Sequence, residues 1–320
     1  MKIGIIGGRG HWGTVLQSLS LVPGAVIAGI SEATDQLRSL TGNPPEFRDY
    51  REMLERVRPD IVCVDGWFHQ HAEMCLEAIK RDIAVYCEKP IALTLPELAA
   101  IRRALQEHPV PLISITPLRY EPAFASARQL VAEGAIGKVK LVRSQKSYKL
   151  GRRADFYRRR ETYGGTIPWV GSHGIDLLML FGADKFLSVT AMHDCSDNFD
   201  HGEMEITAQC MFRCAGGILA STSLDFLRPA AAPTHGDDRV RVAGTSGVIE
   251  VIAGEITLID AGGPRKIIPQ PVTGAIFSDF ALGQSRISTA ETLTLTEACL
   301  LARESADSGQ TKYFPAAAQE

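Results

Sequence analysis

Three short motifs in this sequence carry groups that could bind a nucleotide or move a proton. The first runs from Gly8 to Gly13 with the spacing G-x-G-x-x-G, directly after an apolar strand and before a helix. Glycines at this spacing allow a tight turn and let the backbone approach a pyrophosphate at the helix start. We therefore expect a dinucleotide to contact Gly8, Gly10, His11, Trp12 and Gly13; an ordinary glycine turn is the alternative.

The second motif, Glu88-Lys89-Pro90, follows the apolar run 83–87. Proline restricts the preceding residue to extended backbone, so Lys89 has a defined direction. A lysine that loses hydration in a cleft gives up its proton more readily. We predict that Lys89 binds a substrate and helps to move a proton, although a strand-end lysine that points into water would have the same sequence.

The third motif spans Pro168 to Asp176. Proline can open a helix, and Trp169, His173 and Asp176 would then lie on one helix face. Histidine exchanges protons near neutral pH, so His173 is a candidate acid/base, with a buried core histidine as the alternative. Two glycines within the motif weaken a helix and indicate close approach by another group.

The elements that position these motifs alternate between strand and helix up to about residue 117. This order predicts a parallel sheet covered by helices on both faces, with ligands beyond the carboxyl ends of the strands. The later segments predict a mostly antiparallel sheet and a final helix, an α+β arrangement. The predicted domains are 1–118 and 119–320. Predicted strands are 2–6, 25–30, 61–64, 83–87, 111–115, 138–148, 186–194, 203–214, 217–227, 238–243, 247–252 and 255–260, and predicted helices include 35–41, 50–57, 70–81, 95–107, 122–133 and 289–308.

The end of the second strand bears on the choice of cofactor. Glu32 follows the Gly-rich motif by about twenty residues, where a carboxylate binds the ribose 2′-hydroxyl and repels a 2′-phosphate. Glu32 therefore favours NAD, whereas Ser31 with Arg38 leaves NADP open. A solvated loop glutamate is the alternative for Glu32.

Composition excludes some classes of protein. The chain has 320 residues, 45% hydrophobic and 22% charged, which is enough for two domains with cores. A net charge of -3 argues against partners such as nucleic acid or membrane surfaces. No apolar stretch approaches the roughly 20 residues needed to cross a bilayer, and the N-terminus leads directly into a strand, so we expect a cytoplasmic protein.

The seven cysteines are predicted to be reduced, buried thiols, because their number is odd and their spacing wide. Cys210 and Cys214, with His193 and His201 nearby, could form a zinc site. The strand pattern around the two cysteines favours core thiols, so we predict no metal.

The three motifs together resemble the Gfo/Idh/MocA oxidoreductase family over about residues 1–315. Further similar segments are Arg119–Pro122, 134–137, the glycine pair at 164–165 and 244–247, and His71 stands where that family has a histidine before the lysine strand. The resemblance implies a Rossmann NAD(P)-binding domain followed by an α+β domain with a mostly antiparallel open sheet. It also implies a homodimer or homotetramer built through that sheet, and a Lys89-Pro90 bond that can be cis.

The resemblance implies a dehydrogenase that transfers hydride between the nicotinamide and a sugar, inositol or related polyol. Lys89 would bind the substrate, and His173 would be the main acid/base. Two alternatives remain: a redox-neutral lyase or glycosidase that holds NAD tightly, and a non-enzymatic regulator that senses NAD or sugar.

This sequence departs from the family at two positions. Trp169 stands where the family often has an aspartate, and Gly66-Trp67-Phe68 replaces a Thr-Pro-Asn turn that touches the cofactor. All three tryptophans therefore fall in motif loops, and we expect an aromatic wall beside the nicotinamide. Cofactor contacts are also predicted for Ser31, Glu32, Trp67, Phe68, His71, Glu88 and Lys89.

Five arginines crowd the segment 152–160. Arginine suits carboxylate or phosphate groups, so an anionic substrate such as a sugar acid is one interpretation; a solvated charge run or a subunit contact is the other. Predicted substrate contacts besides Lys89 and His173 are Arg119, Tyr148, Arg152, Trp169 and Asp176, and Lys146 is a further candidate.

Overall fold

A computed structural model describes residues 1–315, and its backbone divides into two units. Unit 1 comprises Met1–Pro117, Glu161–Gly164 and Thr273–Thr296, and unit 2 comprises Leu118–Arg160, Gly165–Val272 and the chain from Glu297 onward. The first boundary lies close to the one predicted at residue 118, but two later segments return to unit 1. Residues 316–320 of the predicted second domain lie outside the described residues.

Unit 1 contains a parallel sheet whose strands, within residues 1–315, are β1 (Lys2–Gly7), β2 (Val26–Ser31), β3 (Glu46–Phe47), β4 (Ile61–Asp65), β5 (Ala84–Cys87) and β6 (Leu112–Ser114). They lie side by side in the order β3-β2-β1-β4-β5-β6, and every neighbouring pair is parallel. This is the doubly wound order of dinucleotide-binding domains. It confirms the predicted fold of the first half.

Some of the helices that follow these strands begin at residues with capping side chains, namely Thr34, Asp49 and Thr94. Thr94 Oγ1 accepts a hydrogen bond from the Glu97 backbone N–H at 3.3 Å, and Glu97 Oε2 accepts one from the Thr94 N–H at 3.0 Å. Asp49 caps another helix by accepting from the Arg51 N–H at 2.9 Å. The helices are α1 (Gly13–Ser18), α2 (Asp35–Leu40), α3 (Tyr50–Val57), α4 (His71–Ile79) and α5 (Leu95–Glu107).

Unit 2 contains a larger sheet whose strands are β7 (Val139–Tyr148), β8 (Phe186–Asp194), β9 (Thr207–Cys214), β10 (Leu219–Asp225), β11 (Gly236–Gly244), β12 (Gly247–Ile252), β13 (Glu255–Asp260), β14 (Gly263–Ile267) and β15 (Lys312–Tyr313). Their order is β14-β13-β12-β11-β7-β10-β9-β8-β15. Among the described strands, β7 and β10 pair in parallel and the other pairs are antiparallel. The predicted mostly antiparallel sheet is confirmed.

Three further α-helices, α6 (Pro122–Ala132), α7 (Arg160–Tyr163) and α8 (Ser172–Leu180), come next in the chain. The residues before α8, Ile167–Gly171, form a π-helical turn. Short 3₁₀ turns lie at Leu19–Leu21, Phe68–Gln70, Pro117–Tyr120, Asp155–Arg158 and Ala215–Gly217.

The last two helices explain why residues 273–296 belong to unit 1. In α9 (Ile276–Ala281), the rings of Phe277 and Phe280 lie 5.3 and 5.7 Å from the Tyr86 ring. At the start of α10 (Thr289–Ser308), the hydroxyls of Thr289 and Thr292 accept hydrogen bonds from two backbone N–H groups of the edge strand β6. These contacts cover an edge that would otherwise be open to pairing.

Two further sequence-based expectations concern membrane-spanning helices and the cysteines. Of the helices within residues 1–315, none is both long and apolar enough to cross a bilayer. All seven cysteines are free thiols, and six are buried, but Cys195 is exposed. The prediction of burial is therefore wrong for Cys195, which lies in the turn after β8 rather than on a core strand.

Candidate functional site

The Gly-rich loop of unit 1 is anchored to Asp65 at the end of β4. The backbone carbonyl of Asp65 accepts hydrogen bonds from the N–H groups of Gly8 and Arg9, at 2.9 and 3.1 Å. Its carboxylate Oδ2 accepts one from the Trp12 N–H at 3.0 Å. Asp65 is not among the predicted site residues, although an acidic residue at the end of a buried apolar strand is a recognisable signal.

The glycines of this loop leave room for a ligand to contact the protein backbone. A Cβ on Gly10 would lie 2.7 Å from Asp65 Oδ1 and 2.8 Å from Glu88 Cδ, so a side chain there would displace the loop. Gly8 has φ +106°, which other residues rarely adopt. A Cβ on Gly13 would meet nothing within 4 Å, so the start of α1 faces open space. The loop therefore fits the pyrophosphate of a dinucleotide.

Glu88 lies between His11 and Lys89. Its Oε2 atom is 2.8 Å from His11 Nδ1, and its Oε1 atom is 3.1 Å from Lys89 Nζ. Glu88 is 1% exposed and Lys89 is 5% exposed. Burial opposes ionisation of Glu88, but the charges and hydrogen bonds of His11 and Lys89 lower its pKa to about 2. Lys89 is thus a buried ammonium held by a carboxylate beside the Gly-rich loop.

Asp65 experiences the opposite effect. Burial and the nearby charge of Glu88 raise the pKa of Asp65 well above its usual value, although the Trp12 N–H and Lys89 act against this rise. The same charged environment therefore favours ionisation of Glu88 and opposes ionisation of Asp65.

The carboxyl end of β2 separates the groups considered for cofactor choice. Ser31 is buried and its hydroxyl donates to the Phe47 carbonyl at 3.0 Å. Arg38 binds Glu46 through Nε at 2.9 Å and Asp35 through Nη1 at 2.7 Å. Glu32 has φ 50°, and its pKa is raised by burial and lowered less strongly by Arg9. Ser31 and Arg38 are thus held by neighbouring residues in ways that oppose a role in binding NADP. Among the described residues, no neighbour holds Glu32 in a way that opposes its predicted role in binding NAD.

The turn after β4 is tied to the lysine motif by His71. This residue is fully buried, with Nδ1 2.8 Å from the Pro90 carbonyl and Nε2 3.2 Å from the Gly66 carbonyl. Burial lowers its pKa. The Lys89-Pro90 bond is cis, which confirms that expectation. His71 shapes both loops, and its direct contact with a cofactor stays a prediction.

The three tryptophans have different surroundings. Trp12 is buried, and Trp67 lies under the Arg9 guanidinium, whose Cζ is 3.5 Å from the ring centre. Phe68 is buried with its ring 5.5 Å from that of His71. These residues belong to unit 1 and Trp169 belongs to unit 2, so the common aromatic wall stays a prediction.

In unit 2, the helix with His173 packs closely on the sheet. A Cβ on Gly174 would lie 2.3 Å from Thr222 Oγ1, and one on Gly171 would lie 2.8 Å from Leu224 Cδ1. The Gly174 carbonyl accepts a hydrogen bond from Ser144 at 2.8 Å. The close approach predicted from these glycines is therefore made by strands β7 and β10.

Pro168 lies at the start of a helical segment, as predicted, but the first turn of that segment is π rather than α. Residues Ile167–Gly171 are π-helical, and α8 starts at Ser172. Pro168 has no N–H to donate to an α-helical carbonyl, and a π turn is wider than an α turn.

Trp169 belongs to an aromatic cluster of unit 2. Its ring centre lies 4.4 Å from that of Tyr157 and 5.7 Å from that of Phe226. Phe226 in turn lies 6.3 Å from Tyr148. The position where the family often has an aspartate is thus filled by a packed ring.

Arg119 and Asp176, both predicted to contact substrate, bind each other. Nε and Nη2 of Arg119 lie 2.8 and 2.7 Å from Asp176 Oδ1, and both residues are buried. His173 is buried on the same helix as Asp176. The ion pair fixes α8 to the turn that precedes α6, and a substrate role for either partner stays a prediction.

The arginines of segment 152–160 differ in their contacts. Arg160 pairs with Glu205 and Asp307, and Arg158 donates to the Asp200 carbonyl. Arg152 is exposed, and its substrate contact stays a prediction. Arg153 instead lies against the aromatic cluster, with its Cζ 5.2 Å from the Trp169 ring centre.

Two protein-family models match this chain. The model of the oxidoreductase family NAD-binding Rossmann fold, GFO_IDH_MocA, matches residues 1–115. The model of the GFO/IDH/MocA C-terminal domain matches residues 124–250.

Comparison with known proteins supports the same family. A structure from Thermotoga maritima, designated an oxidoreductase, is 40% identical, covers 98% of this chain and 100% of its own, and has a TM-score of 0.92. An Agrobacterium radiobacter oxidoreductase in complex with NAD+, L-tartaric acid and magnesium is 18% identical over 98% of both chains, with a TM-score of 0.84, and shows a shared fold. Thermotoga maritima myo-inositol 2-dehydrogenase is 28% identical over 148 residues, 45% of this chain and 44% of that protein, so the match spans less than half of that relative. The chain therefore belongs to the GFO/IDH/MocA family of oxidoreductases and has an NAD-binding Rossmann domain.

Proposed function

We propose that this protein is an NAD-dependent dehydrogenase that acts on a carbinol carbon of a sugar, inositol, polyol or sugar acid. The observation that carries the proposal is the buried Lys89 ammonium, 3.1 Å from Glu88 and beside the Gly-rich loop. The similarity to myo-inositol 2-dehydrogenase supports a polyol-like substrate.

The roles follow from the chemistry of the side chains. NAD, when bound, would supply the acceptor of a hydride from the substrate carbon. Lys89 would donate a hydrogen bond to the substrate hydroxyl and favour loss of its proton, and His173 would accept that proton. Glu88 would keep the lysine oriented, because its second oxygen is held by His11. With Trp169 in place of the usual aspartate, the orientation of His173 would depend on the packing of α8.

The proposal can be tested by nicotinamide absorbance with purified protein, NAD or NADP, and inositols, aldoses, glycosides, sugar acids and tartrate. Lys89→Ala should abolish the signal, whereas Lys80→Ala, at an exposed lysine of the same unit, should keep it. Quenching of tryptophan fluorescence on titration with NADH would show separately that the cofactor binds.

Silence across the panel with NADH bound would overturn the dehydrogenase proposal. Substrate consumption without accumulated NADH would indicate the redox-neutral lyase or glycosidase. A ligand that binds without being converted to a product, and whose affinity Lys89→Ala merely shifts, would indicate the non-enzymatic regulator.

A further inference from the structure

Arg153 is held in unit 2 by neutral groups. Its guanidinium Cζ lies 5.2, 5.3 and 6.0 Å from the ring centres of Trp169, Phe226 and Tyr157. Its Nη2 atom donates to the Lys149 carbonyl at 3.3 Å. Aromatic faces attract a guanidinium and restrict its orientation, so Arg153 is placed rather than mobile in solvent.

Within residues 1–315, Arg153 forms no ion pair with a carboxylate, and its Nε atom is buried without a hydrogen-bond acceptor. Burial lowers the pKa of this guanidinium. A partly buried charge without a counterion is costly unless a ligand supplies one. Arg160, in the same segment, already has Glu205 and Asp307 as counterions. Arg153 therefore differs from Arg160 in needing an anion.

The neighbouring cation Lys146, unlike Arg153, already has a counterion. Lys146 is 3% exposed on β7, and its Nζ lies 4.7 Å from the Tyr148 ring and 2.7 Å from Asp238. Residues two apart on a strand share a face, so Lys146 and Tyr148 lie on the same side of the sheet. Asp238 balances Lys146 and leaves Arg153 unbalanced.

His235 senses this positive environment. Its ring centre lies 4.9 Å from that of Tyr148. Its pKa is lowered by burial and then by the charges of Arg153, Lys149 and Lys146. Cations that oppose protonation of His235 favour the binding of an anion at the same place.

A cavity of about 520 Å³ shares Phe226 and Lys149 with the surroundings of Arg153. Its lining contains the cations Lys149 and Arg228, the imidazole of His201 and apolar side chains such as Phe199 and Phe226, and no carboxylate. The space adjoining Arg153 thus suits a small molecule with an apolar face and a negative charge.

We propose that Arg153 binds the carboxylate of the substrate and makes the protein selective for sugar acids over neutral sugars. This proposal rests on the dehydrogenase function proposed above. A planar guanidinium matches a carboxylate with two parallel hydrogen bonds, and the rings of Trp169, Phe226 and Tyr148 offer faces for a sugar ring. Arg153 lies against Trp169, which stands four residues before His173. The proposed carboxylate subsite therefore adjoins the segment that carries the acid/base.

The test compares pairs that differ in one carboxylate, D-galacturonate with D-galactose and D-gluconate with D-glucitol. Binding to the NADH-loaded protein is measured by calorimetry, and turnover by nicotinamide absorbance. Arg153→Gln should weaken binding of the preferred acid roughly tenfold to a hundredfold, the usual effect of losing a charged hydrogen bond, and change the neutral partner less than about threefold. Arg153→Lys keeps the charge without the planar fork and should recover only part of the affinity.

Arg128→Gln removes an exposed arginine of the same unit and serves as the matched control; it should leave both affinities unchanged. Circular dichroism and the melting temperature verify that Arg153→Gln is folded, and Arg153→Lys provides the comparison if it is not. Equal affinity of wild type for acids and neutral partners, or an equal loss for both in Arg153→Gln, would overturn the subsite. Acid binding that depends on Arg153 without any NADH formation would support the subsite while the dehydrogenase proposal fails. Preference for a sugar phosphate over both acids would overturn the assignment to a carboxylate.

Discussion

Nδ1 of His11 lies 2.8 Å from Oε2 of Glu88, so the Gly-rich loop contacts the carboxylate that also holds Lys89. The cofactor loop and the proposed catalytic lysine are therefore coupled through one buried residue. We therefore expect a substitution of His11 to affect Lys89, and a substitution of Lys89 to affect the Gly-rich loop.

We expect His11→Ala to lower kcat roughly tenfold, within the range of one lost charged hydrogen bond, because Glu88 would hold Lys89 less firmly. His11→Gln should recover much of the loss, since its side-chain amide can donate to Glu88. Steady-state kinetics with the best substrate, together with the Kd of NADH, measure the effect. Equal kcat for wild type and His11→Ala would contradict the coupling, and a change confined to the Kd of NADH would show that His11 serves only the cofactor.

The paired carboxyl groups predict an unusual dependence of stability on pH. The folded-state pKa of Asp65 lies above its ordinary value of 3.8, so the stability that the protonated form provides is complete below that value and is lost as pH rises through the folded-state pKa. Asp65→Asn removes this loss. We expect its melting temperature to exceed that of wild type by several degrees at neutral pH, as roughly 1–2 kcal/mol would give, with a smaller difference near pH 4.

Glu88 contributes in the opposite direction and outside this range. Its folded-state pKa of about 2 lies below the ordinary 4.5, so its contribution is present above the ordinary value and is lost only as pH falls toward 2. The difference between Asp65→Asn and wild type, measured by differential scanning fluorimetry from about pH 4 to 8, therefore reports on Asp65. Asp155→Asn, at an exposed position in unit 2, is the control and should run parallel to wild type; a parallel curve for Asp65→Asn would refute the assignment.

The preference for NAD is predicted to depend on Glu32. Glu32→Gln should weaken NAD binding roughly tenfold and bring the Kd of NADP closer to that of NAD, since a carboxylate binds the ribose hydroxyls and repels a phosphate. Glu32→Gln/Glu46→Gln should favour NADP further, because Arg38 loses the Glu46 carboxylate that holds it at 2.9 Å. Fluorescence titration with both reduced cofactors measures the ratio.

Glu73→Gln is the matched control, because Glu73 is an exposed carboxylate that affects the pKa of Glu32 only at a distance. It should leave the ratio of the two Kd values unchanged. If Glu32→Gln also left that ratio unchanged, cofactor choice would have to reside elsewhere in the domain.

Elements with local signals could be predicted from the sequence, whereas those defined by distant partners could not. Helices α3, α5 and α10 have the predicted bounds, and Asp49 and Thr94 cap the first two. The edge strands β3, β14 and β15 were missed because they are short or polar and exist through pairing with a neighbour. Helix α9 and the return of residues 273–296 to unit 1 were missed for the same reason, since packing on Tyr86 and β6 defines them.

The candidate site shows the same limit. Gly8, Gly10 and Lys89 could be identified from spacing, but Asp65 acquires its role only when the loop folds back on β4. Likewise, nothing in the run of arginines separates Arg152 from Arg153. The ring cluster around Trp169 makes that distinction, and it is assembled from segments far apart in sequence.

The contact between Gly174 and Thr222 yields a prediction about the position of His173. In Gly174→Ala the new Cβ would lie 2.3 Å from Thr222 Oγ1, so α8 must shift away from β10 or the strand must yield. We expect a loss of roughly 1–3 kcal/mol in the free energy of unfolding, as for other overpacked sites, and a fall in kcat because the adjacent His173 moves.

Thr222→Ala should relieve this clash. The Thr222 hydroxyl is buried and has no hydrogen-bond partner among the described residues, so the single variant should cost little. Alanine favours a helix over glycine by about 1 kcal/mol, so Gly174→Ala/Thr222→Ala should regain wild-type stability or exceed it, with kcat recovering in parallel. Gly171→Ala, whose Cβ would meet the end of the Leu224 side chain at 2.8 Å, is the control, and Thr222→Ala should not rescue it. Additive losses in the Gly174 double variant, measured by denaturant unfolding, would mean that the Thr222 contact does not position α8.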